Sequence, residues 1–178
     1  MELFDLYTAD REKTGKTMVR GEPTPEGCYR LVVHVCVFNR QGQMLIQQRQ
    51  PFKKGWSNLW DVSVGGSAVA GDTSRSAAER ETWEELGLRI DLAGVRPSLT
   101  IYWEHGFDDY YTVSADPDPD SLRLQYEEVQ RVKWADKAEI LAMIDGGSFI
   151  PYEKSLIELL FFRRDHLSSH TRSDHTGD

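Results

Sequence analysis

The stretch Glu79–Leu88, ERETWEELGL, places four glutamates and one arginine in seven positions and closes on Leu-Gly-Leu. Each helical residue advances the chain by about 100°, so Glu81, Glu84 and Glu85 share one face. Ala78, Thr82 and Leu86 recur every four residues on an adjacent face, which suits packing on a sheet. Glu81 and Glu85 stand at i,i+4, where like charges repel, and no lysine follows at the compensating positions. A charged surface helix is the bland explanation. The sharper one is a hard divalent cation, Mg²⁺ or Mn²⁺, which favours carboxylate oxygens.

The flanks decide between these. Thr73 is a good N-cap and Gly87 a good left-handed stop, so a helix is predicted over 74–86. Upstream, Gly65-Gly66 forms a glycine turn that can bring backbone close to a ligand. Gly66, five residues, Asp72, seven residues, then Arg80-Glu81-Thr82-Trp83-Glu84-Glu85-Leu86-Gly87-Leu88 resembles the Nudix box. Asp72 stands where that signature has Glu, and Thr82 where it has an aliphatic. The likeness runs from about residue 30 to about residue 160 and includes the later VKWADKAEI and FIPY segments.

The resemblance implies a metal-dependent hydrolase of a diphosphate joined to another group. Glu81, Glu84 and Glu85 would hold Mg²⁺ or Mn²⁺, with a backbone carbonyl of Gly65 or Gly66, Gly66 being preferred. Catalysis would fall to Glu81, Arg80 and Glu84, with Glu81 the candidate base and Arg80 orienting a carboxylate. Asp72 would support Arg80 rather than bind metal. Glu127 or Glu128 from a later loop would complete the site, Glu128 on the substrate side. Arg49, Lys53 and Lys54 are placed to clamp phosphate oxygens, although a solvated loop suits the lysines equally.

NRQGQMLIQQRQPFKKGWSNLWDVSVGG also resembles the isopentenyl diphosphate isomerase branch of the same fold. Those enzymes use a cysteine just before the box glycine and a set of histidines for metal. Here Gly65 holds the cysteine position, Ser67 follows Gly66, and Tyr29-Arg30 stands where a metal histidine is expected. An isomerase-like enzyme and a non-catalytic nucleotide-binding module are therefore the alternatives to a nucleoside diphosphate pyrophosphohydrolase.

The 178 residues suit one domain, with 39% hydrophobic and 28% charged residues. The net charge of -8 disfavours nucleic acid polymers and anionic membranes as partners. A small diphosphate substrate is expected, and a homodimer is left open. MELFDLYTADREK lacks a secretory pattern, and Cys28 and Cys36 form no disulfide framework, so the cytoplasm is expected.

The expected fold is α+β, an α/β/α sandwich of the Nudix type. It has a mixed sheet, the 74–86 helix packed on it, and late helices from KAEILAMIDGG and YEKSLIELLFFRR. Residues 3–8 and 17–20 read as a hairpin within a 1–28 leading segment of the same domain. The 29–167 span is the main body, with its central strand at 29–38, and 168–178 reads as a disordered tail. Residues 89–106 read as strand. Trp56 and Trp60 could stack on a base, but the core is the better expectation for a tryptophan before the glycine turn. At least half of Tyr102, Trp103, Phe107 and Tyr110 are expected to pack in strands. His34 and His105 read as satisfied core or surface histidines.

Overall fold

A computed structural model describes residues 2–166 and 168. The expected tail, Ser168 apart, lies outside them. The chain forms β1 (Leu3–Tyr7), β2 (Lys13–Val19), β3 (Arg30–Phe38), β4 (Met44–Arg49), β5 (Trp60–Asp61) and β6 (Val64–Ser67). There follow α1 (Ser74–Leu86), β7 (Leu99–Trp103), β8 (Gly106–Ser114), β9 (Val129–Ala135), α2 (Lys137–Asp145) and α3 (Lys154–Arg163). No helix among the described residues is long and apolar enough to cross a membrane.

β1 and β2 pair as a separate antiparallel hairpin. The other seven strands form one mixed sheet around β3. β8 runs parallel to β3 along its whole length, and β6 runs antiparallel beside Val32 to Val35 in its middle. β4 meets β3 at Phe38–Met44 and also pairs with β5 and β9, while β7 pairs with β8.

Both faces of β3 are covered, which is why RLVVHVCVF is a dense apolar run rather than a clean alternation. Leu31, Val33, Val35 and Val37 pack with Ala77, Ala78 and Leu86 of α1 in one core. Cys36 and Phe38 point the other way, into a second core with Ile140 of α2 and Ile157 and Leu160 of α3. These two cores make the α/β/α sandwich, and the α+β expectation stands.

Two local expectations change. The first hairpin turns at Thr8–Glu12, where Arg11 takes a φ of 64°, so Lys13–Lys16, expected as turn, begin β2. Residues 89–98, expected as strand, form a loop instead. Glu79 Oε1 accepts from the Leu92 backbone N–H at 2.7 Å, and Leu92 is buried under α1. A side-chain anchor there replaces a strand ladder.

The left-handed turn aims Arg11 at Asp109 of β8, which is fully buried. Asp109 accepts from Arg11, from Thr100 of β7 and from Ser74 of α1, each at 2.6 Å. One carboxylate thus joins the hairpin, two strands and the helix start. Removing a charged donor leaves that buried acceptor short of a partner. Arg11→Ala should lower unfolding stability by about 2 kcal/mol, less than for a fully buried pair because Arg11 retains some solvent contact. Urea denaturation checks this, and an unchanged midpoint would show that Asp109 is satisfied without Arg11.

Candidate active site

The helix that carries the glutamates is fixed at both ends by its own sequence. The Thr73 hydroxyl accepts from the Ser76 backbone N–H at 3.1 Å, and the Ser76 hydroxyl accepts from the Thr73 N–H at 2.9 Å. Gly87 closes the helix at φ 64°, its N–H bonded to the Trp83 carbonyl at 2.9 Å. Thr82, at the expected aliphatic position, is fully buried, and its hydroxyl donates to the Ala78 carbonyl at 2.7 Å. The helix thereby satisfies that polar atom without help from the sheet.

Arg80 organises the face that follows. Its guanidinium donates to Asp72 through Nε (3.2 Å) and Nη2 (2.9 Å), and to the Ser67 carbonyl at 3.1 Å. Its Nη1 donates to Glu81 at 3.0 Å and Glu84 at 2.9 Å. Burial opposes the Arg80 charge, but Glu81, Asp72 and Glu84 more than offset this and raise its pKa. The Asp72 loop is held from its other side by the hairpin. Lys13 donates to the Asp72 carbonyl, Asp5 accepts from Gly71, and Ala70 bonds the Leu3 carbonyl.

Gly66 sits against the Glu81 side chain. A Cβ there would lie 2.1 Å from Glu81 Cδ, so this position requires glycine for space. Burial pushes the Glu81 carboxyl up to about 7, against the pull of Arg80. Burial also raises Glu85 well above its ordinary range, with Gln47 pulling the other way and Glu81 adding to the rise. One guanidinium therefore faces Asp72, Glu81 and Glu84, while Glu85 lacks an ionic partner among the described residues. An oxygen-only set with this surplus of negative charge fits a hard divalent cation. Among the described residues no three acidic, His or Cys side chains converge closely enough to hold an ion. Arg80 draws Glu81 and Glu84, and Gln47 draws Glu85.

A cavity of about 1060 Å³ opens over this face. Glu81, Glu84, Glu85, Gly66 and Arg80 all line it, as do Arg49, Lys53, Lys54, Glu127 and Glu128. Asp72 does not; it stands behind Arg80. Lys53 and Glu128, expected separately, are bonded to each other at 2.6 Å. Trp60 joins the core as expected, whereas Trp56, for which the core is also the better expectation, is exposed on the cavity rim. Phe107 and Tyr110 are buried, Trp103 is half-buried and Tyr102 is exposed.

Several lining residues escaped the sequence reading. Asp61 accepts from the Tyr152 hydroxyl at 2.8 Å and lies 3.9 Å from Arg49. The His34 ring stacks on Tyr110 with 4.5 Å between centroids, and Nε2 lies 3.7 Å from Asp108. Its Nδ1 is buried with no hydrogen-bond partner, so His34 is not the satisfied histidine expected. Strand alternation would have put His34 and Asp61 on known faces, but nothing local marks those faces as cavity wall.

The family model described as NUDIX domain matches residues 29–153. The chain belongs to the Nudix family. Its enzyme class is that of hydrolases acting on pyrophosphate-type bonds. An uncharacterised Nudix hydrolase of Listeria monocytogenes is 50% identical over 152 residues, covering 85% of this chain and 90% of that one. The isopentenyl-diphosphate Delta-isomerase of Shigella flexneri is 27% identical, covering 79% of this chain and 80% of its own. A crystal structure from Deinococcus radiodurans superposes with a TM-score of 0.70 at 27% identity, covering 89% of this chain and 97% of that one. The first hairpin precedes the matched Nudix span, yet it supports the loop that carries Asp72.

Two outcomes follow from this Nudix site. Glu81 titrates near 4.5 when unfolded and near 7 when folded. Within that window the folded state holds a proton that the unfolded chain has released, so metal-free protein should lose stability as pH rises through it. Thermal unfolding in chelator at both ends of the window checks this. Glu81→Gln should flatten the slope, and an equally steep variant would assign the slope elsewhere. Asp72→Glu should retain most activity, and Asp72→Asn should cost less activity and less metal affinity than Glu85→Gln. If Asp72→Asn abolished metal binding as fully as Glu85→Gln, Asp72 would be a metal ligand.

Proposed function

We propose that this Nudix protein is a Mg²⁺- or Mn²⁺-dependent pyrophosphohydrolase that cleaves a nucleoside diphosphate linked to another group. The observation that carries the proposal is the cavity itself. Its floor sets Glu81 and Glu84 against the single guanidinium of Arg80 with Glu85 beside them, and its wall carries Arg49, Lys53 and Lys54. Phe52 and Trp56 on the rim are 57% and 54% exposed, and such aromatic faces suit stacking on a planar base.

Glu81, Glu84, Glu85 and the Gly66 carbonyl would hold the cation, which supplies charge neutralisation at the diphosphate and a more acidic water. The rest falls to the chain. Arg49 and Lys54 draw the phosphate oxygens in, with Arg49 set by Asp61 and by the Gly55 carbonyl at 3.2 Å. Lys53 joins them when substrate displaces Glu128. Water attacks a phosphorus atom, the bridging P–O bond breaks, and the leaving phosphate carries that electron pair. Glu81, beside the cation, would accept the proton of the water. Arg80 holds Glu81 and Glu84 in place while Asp72 holds Arg80. The free thiols of Cys28 and Cys36 suit a reducing cytoplasm.

The isomerase reading lacks its acid–base group. Gly65 faces His34, no cysteine lines the cavity, Cys36 is fully buried and Cys28 packs beside the hairpin core. The intact glutamate face disfavours a non-catalytic module.

A panel of nucleoside diphosphate derivatives with Mg²⁺ or Mn²⁺, read as released phosphate compounds, tests the proposal. At least one compound should be hydrolysed. Glu84→Gln and Glu85→Gln should each reduce turnover by orders of magnitude with circular dichroism unchanged. Wild-type turnover in excess chelator would overturn metal dependence. Formation of dimethylallyl diphosphate from isopentenyl diphosphate above background would favour the isomerase.

A further inference from the structure

Gln47 lies in the middle of β4, opposite Asp61 of β5 and Val132 of β9. Strand alternation puts it on the same face as Leu45, towards the core that α1 closes. It is 2% exposed, and an amide at such a position has to be hydrogen-bonded. Its Nε2 donates to Oε2 of Glu85 at 2.8 Å. Glu85 is itself only 4% exposed, and among the described residues this is the hydrogen bond that its carboxylate accepts. The bond joins the centre of the sheet to the last turn of α1, across 38 positions of sequence.

We infer that Gln47 is a positioning residue that sets the Glu85 carboxylate for the metal, an inference that rests on the metal-dependent reading above. Three features support it. Glu81 and Glu84 are oriented by a guanidinium, but Arg80 does not reach Glu85, so Glu85 needs another partner. An amide donor fixes an oxygen without adding positive charge, so it does not compete with the cation as a lysine or arginine would. The bond ties back Oε2 while Glu85 still lines the cavity, so Oε1 is the oxygen without a hydrogen-bond partner among the described residues and would be free for a cation. Donors behind ligating carboxylates characteristically set metal affinity, and their loss weakens binding by about 10- to 100-fold.

A role confined to packing would behave differently. Gln47→Met keeps length and shape but loses the donor, so the core stays filled while the Glu85 carboxylate is freed. Gln47→Leu is a second donor-free variant, and circular dichroism confirms the fold of each. Mn²⁺ affinity is then measured by calorimetry or by electron paramagnetic resonance. Both variants should bind Mn²⁺ about tenfold or more weakly than wild type, and activity lost at low Mn²⁺ should return at saturating Mn²⁺. In a Glu85→Gln background, Gln47→Met should cause no further loss of affinity. Unchanged Mn²⁺ affinity in folded Gln47→Met, or a full additional loss in the Glu85→Gln background, would overturn the role. Failure of wild type to bind Mn²⁺ would instead remove the metal-dependent reading and this inference together.

Discussion

The Arg80 guanidinium joins the two halves of the site. Asp72 and the Ser67 carbonyl belong to the chain leaving β6, while Glu81 and Glu84 belong to α1. Without a planar, permanently charged fork between them, two acidic segments would meet with no reason to stay together. A lysine could offer the charge but not several donors in fixed directions. Asp72 is shorter than the family's glutamate, and the chain compensates locally. Its Oδ2 also accepts from the Val69 N–H, its Oδ1 accepts from Ser76, and Lys13 of the hairpin holds its backbone carbonyl.

Close approach is the second constraint, and Gly66 meets it. With Glu81 packed on the strand at that point, any side chain would displace the carboxylate from the cavity floor. Gly66 also pairs with the fully buried Val33 of β3, so the contact is referred to the core of the sheet. Positional accuracy at Glu81 thus comes from the core: β3 fixes β6, and β6 sets how near α1 can come.

The local parts of this arrangement were legible in the sequence. Thr73 and Gly87 mark the helix ends, helical spacing puts Glu81, Glu84 and Glu85 together, and Gly66 to Leu88 keeps its family spacing. The two-sided burial of β3 follows from its unbroken apolar run. The partnerships that span the fold were not legible. Gln47 with Glu85, Lys53 with Glu128 and Arg11 with Asp109 are separated by 38, 75 and 98 positions. The sequence singles out Glu85, Lys53 and Glu128 as site candidates, but nothing near them in the chain names the partner that each one meets. Arg11 also needed a left-handed backbone at a non-glycine residue, which its neighbours do not announce.

These long-range pairs explain how so acidic a face is tolerated inside a folded chain. Asp109, Asp61 and Glu85 are all buried, yet each is answered differently. Asp109 receives a guanidinium and two hydroxyls, which settles its charge within the fold. Asp61 receives a tyrosine hydroxyl and a backbone N–H, with Arg49 at longer range. Among the described residues Glu85 receives a neutral amide and nothing cationic, which satisfies its hydrogen bonding but leaves its charge uncompensated. That graded difference separates scaffold from site. Where charge is fully answered the carboxylate is structural, and where only geometry is answered the fold holds electrostatic capacity in reserve for a ligand.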